Sequence, residues 1–400
     1  MLSRRARVLL AGMFVSLAGD KFAAIAFALL AVELDSPNFL VGILLADLVP
    51  PIVLGPIGGT VADRFAGRWL WPGVLLTQGA IFAALTIPTS QVAIVVLVAA
   101  ASTVAAAAGP LGAKYLHAVV DRQSRPLAAR RSAQVQATAG VVGTVLGGFT
   151  FGLAALDWML LANACSFVVL GFASLLVGRV VFESDDSADH ATQAGGLMYG
   201  FRLMWSHRVF GVGLTAVLVG VMFGTSLEGV ASPFFLIDDL GLSTGAYGVL
   251  IGTWSIGMLT GAAWSRPNRH AASSRLSIVR YAALMGSCLL TLAILQSPIA
   301  AFPLYVLGGL ANGVFNAGIG VVIFSSVSSG AQGRAWAAFG AVANASVLAG
   351  YVAGLALDDF SARWVVAASG IVPLVLCALA VSVTRRGPDR AERRSSPSIR

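Results

Sequence analysis

Four hundred residues with 57% hydrophobic and only 11% charged side chains exclude an ordinary soluble protein, in which about 25% of residues are charged. A formal net charge of +8 would fit a nucleic-acid binder, but the arginines gather at the chain ends and in alternate polar loops. That is the positive-inside bias of a membrane protein, not a phosphate-binding groove.

Apolar blocks recur at the length that crosses a bilayer core of about 30 Å, which takes about 20 helical residues. The first six spans are expected near 8–33, 38–62, 70–89, 91–119, 132–154 and 158–181. The second six are expected near 209–236, 243–264, 277–296, 299–326, 335–356 and 364–384. The first stretch is flanked by Arg4, Arg5 and Arg7, is too long for a signal h-region and shows no cleavage site, so it reads as a retained helix. Arg64/Arg68, Arg122/Arg125/Arg130/Arg131, Arg202/Arg208, Arg266/Arg269/Arg275 and Arg334 fall on one side with both termini. The opposite loops hold Glu33/Asp35, Asp157, Asp238/Asp239 and Asp358/Asp359, with Arg363 as their one basic residue. Both ends are therefore expected in the cytoplasm of a bacterial plasma membrane.

Residues 183–207 form the one substantial polar connection, with Glu183, Asp185, Asp186, Asp189 and Gly195-Gly196. This composition suits a flexible linker, followed by a short amphipathic surface helix around Met198, Phe201, Leu203 and Met204. The expected organisation is an N-terminal bundle over 1–182, the linker over 183–207, a C-terminal bundle over 208–384 and a basic tail over 385–400. The halves look related. Gly152-Leu153-Ala154 before Asp157 recurs as Gly354-Leu355-Ala356 before Asp359, and at the same offset Gly59, Arg64 and Gly148 land on Gly261, Arg266 and Gly350. A common offset points to a duplicated six-helix unit, as in transporters built from internal repeats.

The run Gly55-Pro56-Ile57-Gly58-Gly59-Thr60-Val61-Ala62-Asp63-Arg64-Phe65-Ala66-Gly67-Arg68 leaves the second span and ends in a short basic loop. It resembles the loop between helices 2 and 3 of major facilitator superfamily transporters, roughly G-x-x-x-D-R-x-G-R-R. There is one extra residue before the second glycine, and Trp69 stands where a second basic residue is expected. The resemblance implies an all-α polytopic membrane protein with twelve transmembrane helices in two pseudo-symmetric six-helix bundles, the major facilitator fold. It also implies that Gly59, Asp63, Arg64 and Arg68 form a cytoplasmic gate that latches the halves in the outward-facing state. Gly143-Thr144-Val145-Leu146-Gly147-Gly148 resembles the superfamily's G-P-x-x-G-G antiporter signature, with Thr144 in place of proline.

Charges inside the spans are the candidates for coupling. A charge at the bilayer centre costs at least about 2.5–3.5 kcal/mol, so it should face protein or a water-filled cavity. Asp20-Lys21 sits about midway along the first span. Neighbours on a helix point about 100° apart, so each is expected to find a partner on another helix. Asp20 is the first proton-coupling candidate, with Lys21 as a mobile ion-pair partner; a structural ion pair is the alternative. Asp47, a further proton-coupling candidate, precedes Pro50-Pro51, which should bend or unwind the second span. It is placed to meet Lys21 or a cationic substrate, with an extracellular vestibule as the alternative. Glu228, in the seventh span within a few residues of the repeat counterpart of Asp20, is an unpaired acid and the other proton carrier. Lys114 and His117 lie one turn apart towards the cytoplasmic end of the fourth span; Lys114 is an ion-pair partner or snorkels to the headgroups, and His117 is a possible relay.

Gln134, Gln136, Asn312, Asn316 and Asn344 are amides in apolar spans, where they bond neighbouring helices or line a cavity. Trp254 and Phe223 are candidates for its apolar wall. The expected substrate cavity holds Asp20, Asp47, Glu228, Gln136, Trp254, Asn312, Asn316 and Asn344, between spans 1, 2, 4, 5 and 7, 8, 10, 11. Cysteines 165, 288 and 377 have no disulfide or metal spacing. No phosphate-binding glycine loop, metal cluster or nucleophile–base pair stands out, so an enzyme is the weakest class. Within the superfamily, the short N-terminus, the Gly-Asp of the first span and the Asp-Arg-Phe loop look most like bacterial drug and macrolide exporters. The expectation is therefore a proton-coupled exporter of small amphiphilic molecules. It needs no cofactor beyond the proton gradient and no metal, acts as a monomer and has substrate and lipid, not nucleic acid, as partners. An importer or uniporter of the same fold, or a non-transporting membrane sensor, are the alternatives.

Overall fold

The computed structural model describes residues 2–64, 69–87, 90–176, 196–206, 210–265 and 275–386. Among these residues the chain is helical, with no strand. Thirteen α-helices are described: α1 Arg4–Glu33, α2 Pro37–Arg64, α3 Leu70–Ala84, α4 Gln91–Ala118, α5 Arg125–Phe151, α6 Leu156–Leu176, α7 Gly196–Trp205, α8 Gly211–Phe234, α9 Thr244–Ser265, α10 Arg275–Leu295, α11 Pro298–Ser326, α12 Ser329–Ala353 and α13 Ala362–Arg386. Ten are long and apolar enough to cross a membrane. The other two long helices are α3, apolar but shorter, and α5, which opens on Arg125, Arg130 and Arg131.

Local chemistry sets many of the helix starts. Ser3, Ser90 and Ser297 accept hydrogen bonds from the backbone N–H three residues on, at 3.2, 3.4 and 3.3 Å, which satisfies donors that the first helical turn leaves orphaned. Asp35, between α1 and α2, has φ 44°, a left-handed turn position that Asp tolerates through its short polar side chain. Two helices begin earlier than hydropathy indicates. α5 starts at Arg125 and α12 at Ser329. Before the α5 window Leu127, Ala128, Ala129, Arg130 and Arg131 are good helix formers in water, whereas the start of α12 runs through Gly330 and Gly333 against propensity. α2 runs through Pro50-Pro51 as continuous helix, so the expected unwinding there does not occur.

The structure divides into two compact units, residues 1–188 with 236–255, and 189–235 with 256–400. In the first, α1 packs on α5 and α6, α2 on α4, and α3 on α4 and α6. In the second, α8 packs on α12 and α13, and α10 on α11 and α13. The same neighbour scheme is thus built twice. Without water to squeeze out, lipid-embedded helices are held by close van der Waals contact, which small residues permit. A Cβ on Gly58 of α2 would sit 2.4 Å from the Ala106 carbonyl oxygen of α4. A similar approach is made in the second unit by Gly261 of α9, where a Cβ would sit 2.1 Å from the Leu310 carbonyl oxygen of α11.

α5 uses its glycines in two directions. Gly143 and Gly147 admit the α1 backbone at Ala18 and Phe22, while Gly148 meets Gly248 and the Thr244 carbonyl of α9. Thr144, in the signature's proline position, donates to the Gly140 and Val141 carbonyls at 2.9 and 3.1 Å. The first unit holds an apolar core that includes Leu9, Trp71, Leu75, Leu111, Tyr115 and Phe167, with the Trp71 and Tyr115 rings 4.9 Å apart. α7 does not simply lie at a surface. Its Met204 is fully buried, its Gly200 sits on the Arg334 carbonyl of α12, and the Arg334 guanidinium stacks 4.8 Å over the Tyr199 ring.

Candidate functional site

In the first unit the site grows from α1. Gly19 leaves space that α6 fills: a Cβ there would lie 2.5 Å from both Asn163 Oδ1 and Ser166 Oγ. Asn163 has no exposed surface. Its Oδ1 accepts from Ser166 Oγ at 3.0 Å, and its Nδ2 donates a long 3.5 Å hydrogen bond to Asp20 Oδ1. The partner of Asp20 on another helix is therefore a neutral amide. Lys21 and Asp47 both lie within electrostatic reach of Asp20. The Lys21 side chain leaves α1 beside α5, where its Cβ is 2.8 Å from the point a Cβ on Gly143 would occupy. Asp47 accepts a 3.0 Å hydrogen bond from Ser102 Oγ of α4.

Asp20 opens into a cavity of about 510 Å³ between α1, α3, α4, α5 and α6, which Gln136, Gln78, Ser16, Trp71 and His117 also line. Of the expected cavity residues, Asp20 and Gln136 are brought together here. Gln134 turns instead to Arg131, whose Nη1 donates to it at 3.2 Å. Lys114 is half-buried and engaged in a contact. Trp254, half-buried on α9, falls in the first unit.

In the second unit Glu228 of α8 accepts a short 2.5 Å hydrogen bond from the Tyr305 hydroxyl of α11 and another from Ser232 one turn on. It is not an unpaired acid. Nor is it a copy of Asp20. Gly147 of α5 faces Phe22 and Ile25, and Gly350 of α12 faces Phe223 and Ser226. On that register Asp20 corresponds to Val221, and Glu228 lies about two turns further along its helix. Asn316 Nδ2 donates to the Asn312 carbonyl at 3.0 Å and to the Asn312 side chain, so this pair satisfies itself along one face of α11. Asn344 is half-buried on α12.

Gly59, Asp63 and Arg64 continue α2, but their side chains, and Arg68 altogether, lie outside the described residues; the expected gate falls there. Among the described residues no three His, Cys, Asp or Glu side chains are placed to hold a metal ion. Sequence reasoning missed Asn163, Ser102, Tyr305, Gln78 and Trp71. A signal existed for the first, since Asn163 and Ser166 share a face of the apolar sixth span.

The arrangement holds Asp20 and Asp47 in the first unit and Glu228 in the second, each hydrogen-bonded by neutral donors, and Asp20 reaches a drug-sized hollow. Residues 9–303 match the family model described as Major Facilitator Superfamily. No curated protein matches the chain. Similar solved structures include a bacterial homologue of the human lysosomal transporter Spinster, inward-facing and unoccupied, at 12% identity and TM-score 0.73 over 96% of this chain and 98% of that one. The nucleoside transporter NupG is 13% identical with TM-score 0.69 over 96% and 100%. A bacterial homologue of the iron transporter ferroportin, in an inward-facing state, is 18% identical with TM-score 0.66 over 96% and 100%. At these identities the likeness is one of fold.

Proposed function

Since the chain belongs to the major facilitator superfamily, we propose that it is a secondary active exporter of small amphiphilic molecules, driven by exchange for protons and most like bacterial drug and macrolide exporters. It works as a monomer in the plasma membrane of a bacterium, with both termini cytoplasmic and no cofactor beyond the proton gradient. The observation that carries this reading is the setting of the two embedded acids. Asp20 is held by Asn163, and Glu228 by Tyr305 and Ser232. None of these three donors is a cation, so a carboxylate can take up and release a proton without breaking a fixed ion pair. Asp47 and Lys21 act on Asp20 from nearby and tune that exchange. Alternating access follows from the duplicated six-helix units, with Gly59, Asp63, Arg64 and Arg68 as the cytoplasmic latch.

The test is transport in proteoliposomes of known orientation. A compound panel is assayed under an imposed pH gradient, with Asp20→Asn and Glu228→Gln beside the parent chain. The reading expects proton-driven movement from the cytoplasmic face outward, lost in at least one variant that still equilibrates substrate downhill. Uphill transport by both variants equal to the parent chain would sink the coupling role.

A further inference from the structure

The cavity of the first unit, about 510 Å³, falls within the range of about 300–1,000 Å³ that holds drug-sized ligands. Much of its wall is apolar, from Leu75, Leu116, Phe167 and Leu170. Set into that wall are polar groups that the protein leaves unused. Ser16 and Gln78 line it at 4% and 6% exposure, and among the described residues neither has a hydrogen-bond partner. Trp71 lines it at 2% exposure, and its indole Nε1 is buried without an acceptor. Buried polar groups in a membrane-embedded bundle require partners. Among the described residues Ser16, Gln78 and the Trp71 indole meet no such partner around a single hollow, which marks a place built for something that enters.

The charge of the hollow says what enters. Among the described residues Asp20 is the one carboxylate on the wall and no lysine or arginine lines it, with His117 as the other titratable group there; Lys21 lies beside α5 instead. A carboxylate facing a low-dielectric space with no lysine or arginine across it favours a cationic occupant, and the aromatic side chains of Trp71 and Phe167 on the same wall add to that preference.

We infer that this cavity binds a monovalent organic cation with an apolar body and a hydrogen-bond acceptor. Asp20 is the counter-charge, and Ser16, Gln78 and Trp71 serve the polar atoms. In calling that cation the substrate the inference rests on the exporter reading; binding itself needs no gradient.

The test uses the purified full chain in detergent, with Cys165, Cys288 and Cys377 replaced by alanine and one thiol introduced by Ser16→Cys, one turn from Asp20. Its modification by cationic 2-aminoethyl methanethiosulfonate and by the anionic 2-sulfonatoethyl reagent is timed, each rate normalised to that of a free thiol. The cation-over-anion ratio is expected to fall at least about tenfold on Asp20→Asn and to survive Asp20→Glu. Benzyltrimethylammonium should slow labelling severalfold while its neutral isostere neopentylbenzene does not. This comparison is made with Asp20 intact, so it decides alone if Asp20→Asn does not fold. An unlabelled thiol, a ratio indifferent to Asp20→Asn, or equal protection by the neutral isostere overturns the inference. A chain that binds the cation but moves nothing under a pH gradient keeps the site and loses the exporter.

Discussion

Asn163 Nδ2 on α6 reaches Asp20 Oδ1 on α1 at 3.5 Å, and Gly19 is the residue that lets it. With a side chain at position 19 the two helices cannot approach, because Asn163 Oδ1 and Ser166 Oγ already occupy the Cβ position. Gly19→Ala is therefore expected to destabilise the purified protein by about 1–3 kcal/mol, the usual penalty of overpacking. A lowered thermal-unfolding midpoint in detergent measures it. Gly140→Ala, on α5 with nothing within 4 Å of an added Cβ, is the control that should hold or gain stability.

Asn163→Leu keeps the forked side-chain shape, with somewhat more bulk, but leaves Asp20 without its donor. Removing one partner of a buried hydrogen-bonded charge costs about 1–3 kcal/mol or more. The variant is expected to fold with a lower midpoint, and its proton-driven transport should fall more than its downhill exchange. Equal loss of both activities would mean that Asn163 serves packing alone.

Tyr305→Phe removes the hydroxyl that donates to Glu228 while leaving the ring in place. Ser232 remains as a donor, so the expected loss is partial, and Tyr305→Phe with Ser232→Ala should exceed the sum of the singles. A double-mutant cycle on thermal stability and on pH-driven transport reads the coupling.

Backbone contact between α9 and α11 makes the sharpest stability contrast. A Cβ at Gly261 would lie 2.1 Å from the Leu310 carbonyl oxygen, and one at Gly313 would lie 2.1 Å from the Met258 carbonyl oxygen. Neither obstacle is a flexible side-chain tip. Gly261→Leu is expected to abolish the folded, monodisperse species in size-exclusion chromatography, whereas Gly229→Ala, in open space on α8, should leave it intact.

Fold and site were legible to different degrees, for physical reasons. Hydropathy marks where a helix crosses lipid, so the spans emerged with their order and loop charges. It cannot mark where a helix continues into water, which is why α5 and α12 begin at Arg125 and Ser329, ahead of their apolar windows. Embedded acids such as Asp20 and Glu228 announce themselves by cost alone. Their partners do not, because Asn163 and Tyr305 are ordinary residues whose meaning depends on helices 143 and 77 positions away. The repeat offset aligned the glycines well enough to imply a duplication, and it carries Asp20 to Met222. The faces of Gly147 and Gly350 move that counterpart by one residue to Val221, so Glu228 has no acid as its repeat partner.

α7 bears on where the gene itself can be divided. Gly200 rests on Arg334, and Met204 is fully buried, so this short helix belongs with the segment that follows it. An open reading frame split ahead of Gly196 keeps α7 with α12 in one fragment. A split after Trp205 strands α7 on the other polypeptide and bares the face it covers. Co-expressed fragments of the first kind should reassemble in the membrane, and those of the second should be degraded. The position of the break, not its presence, is what the protein should feel.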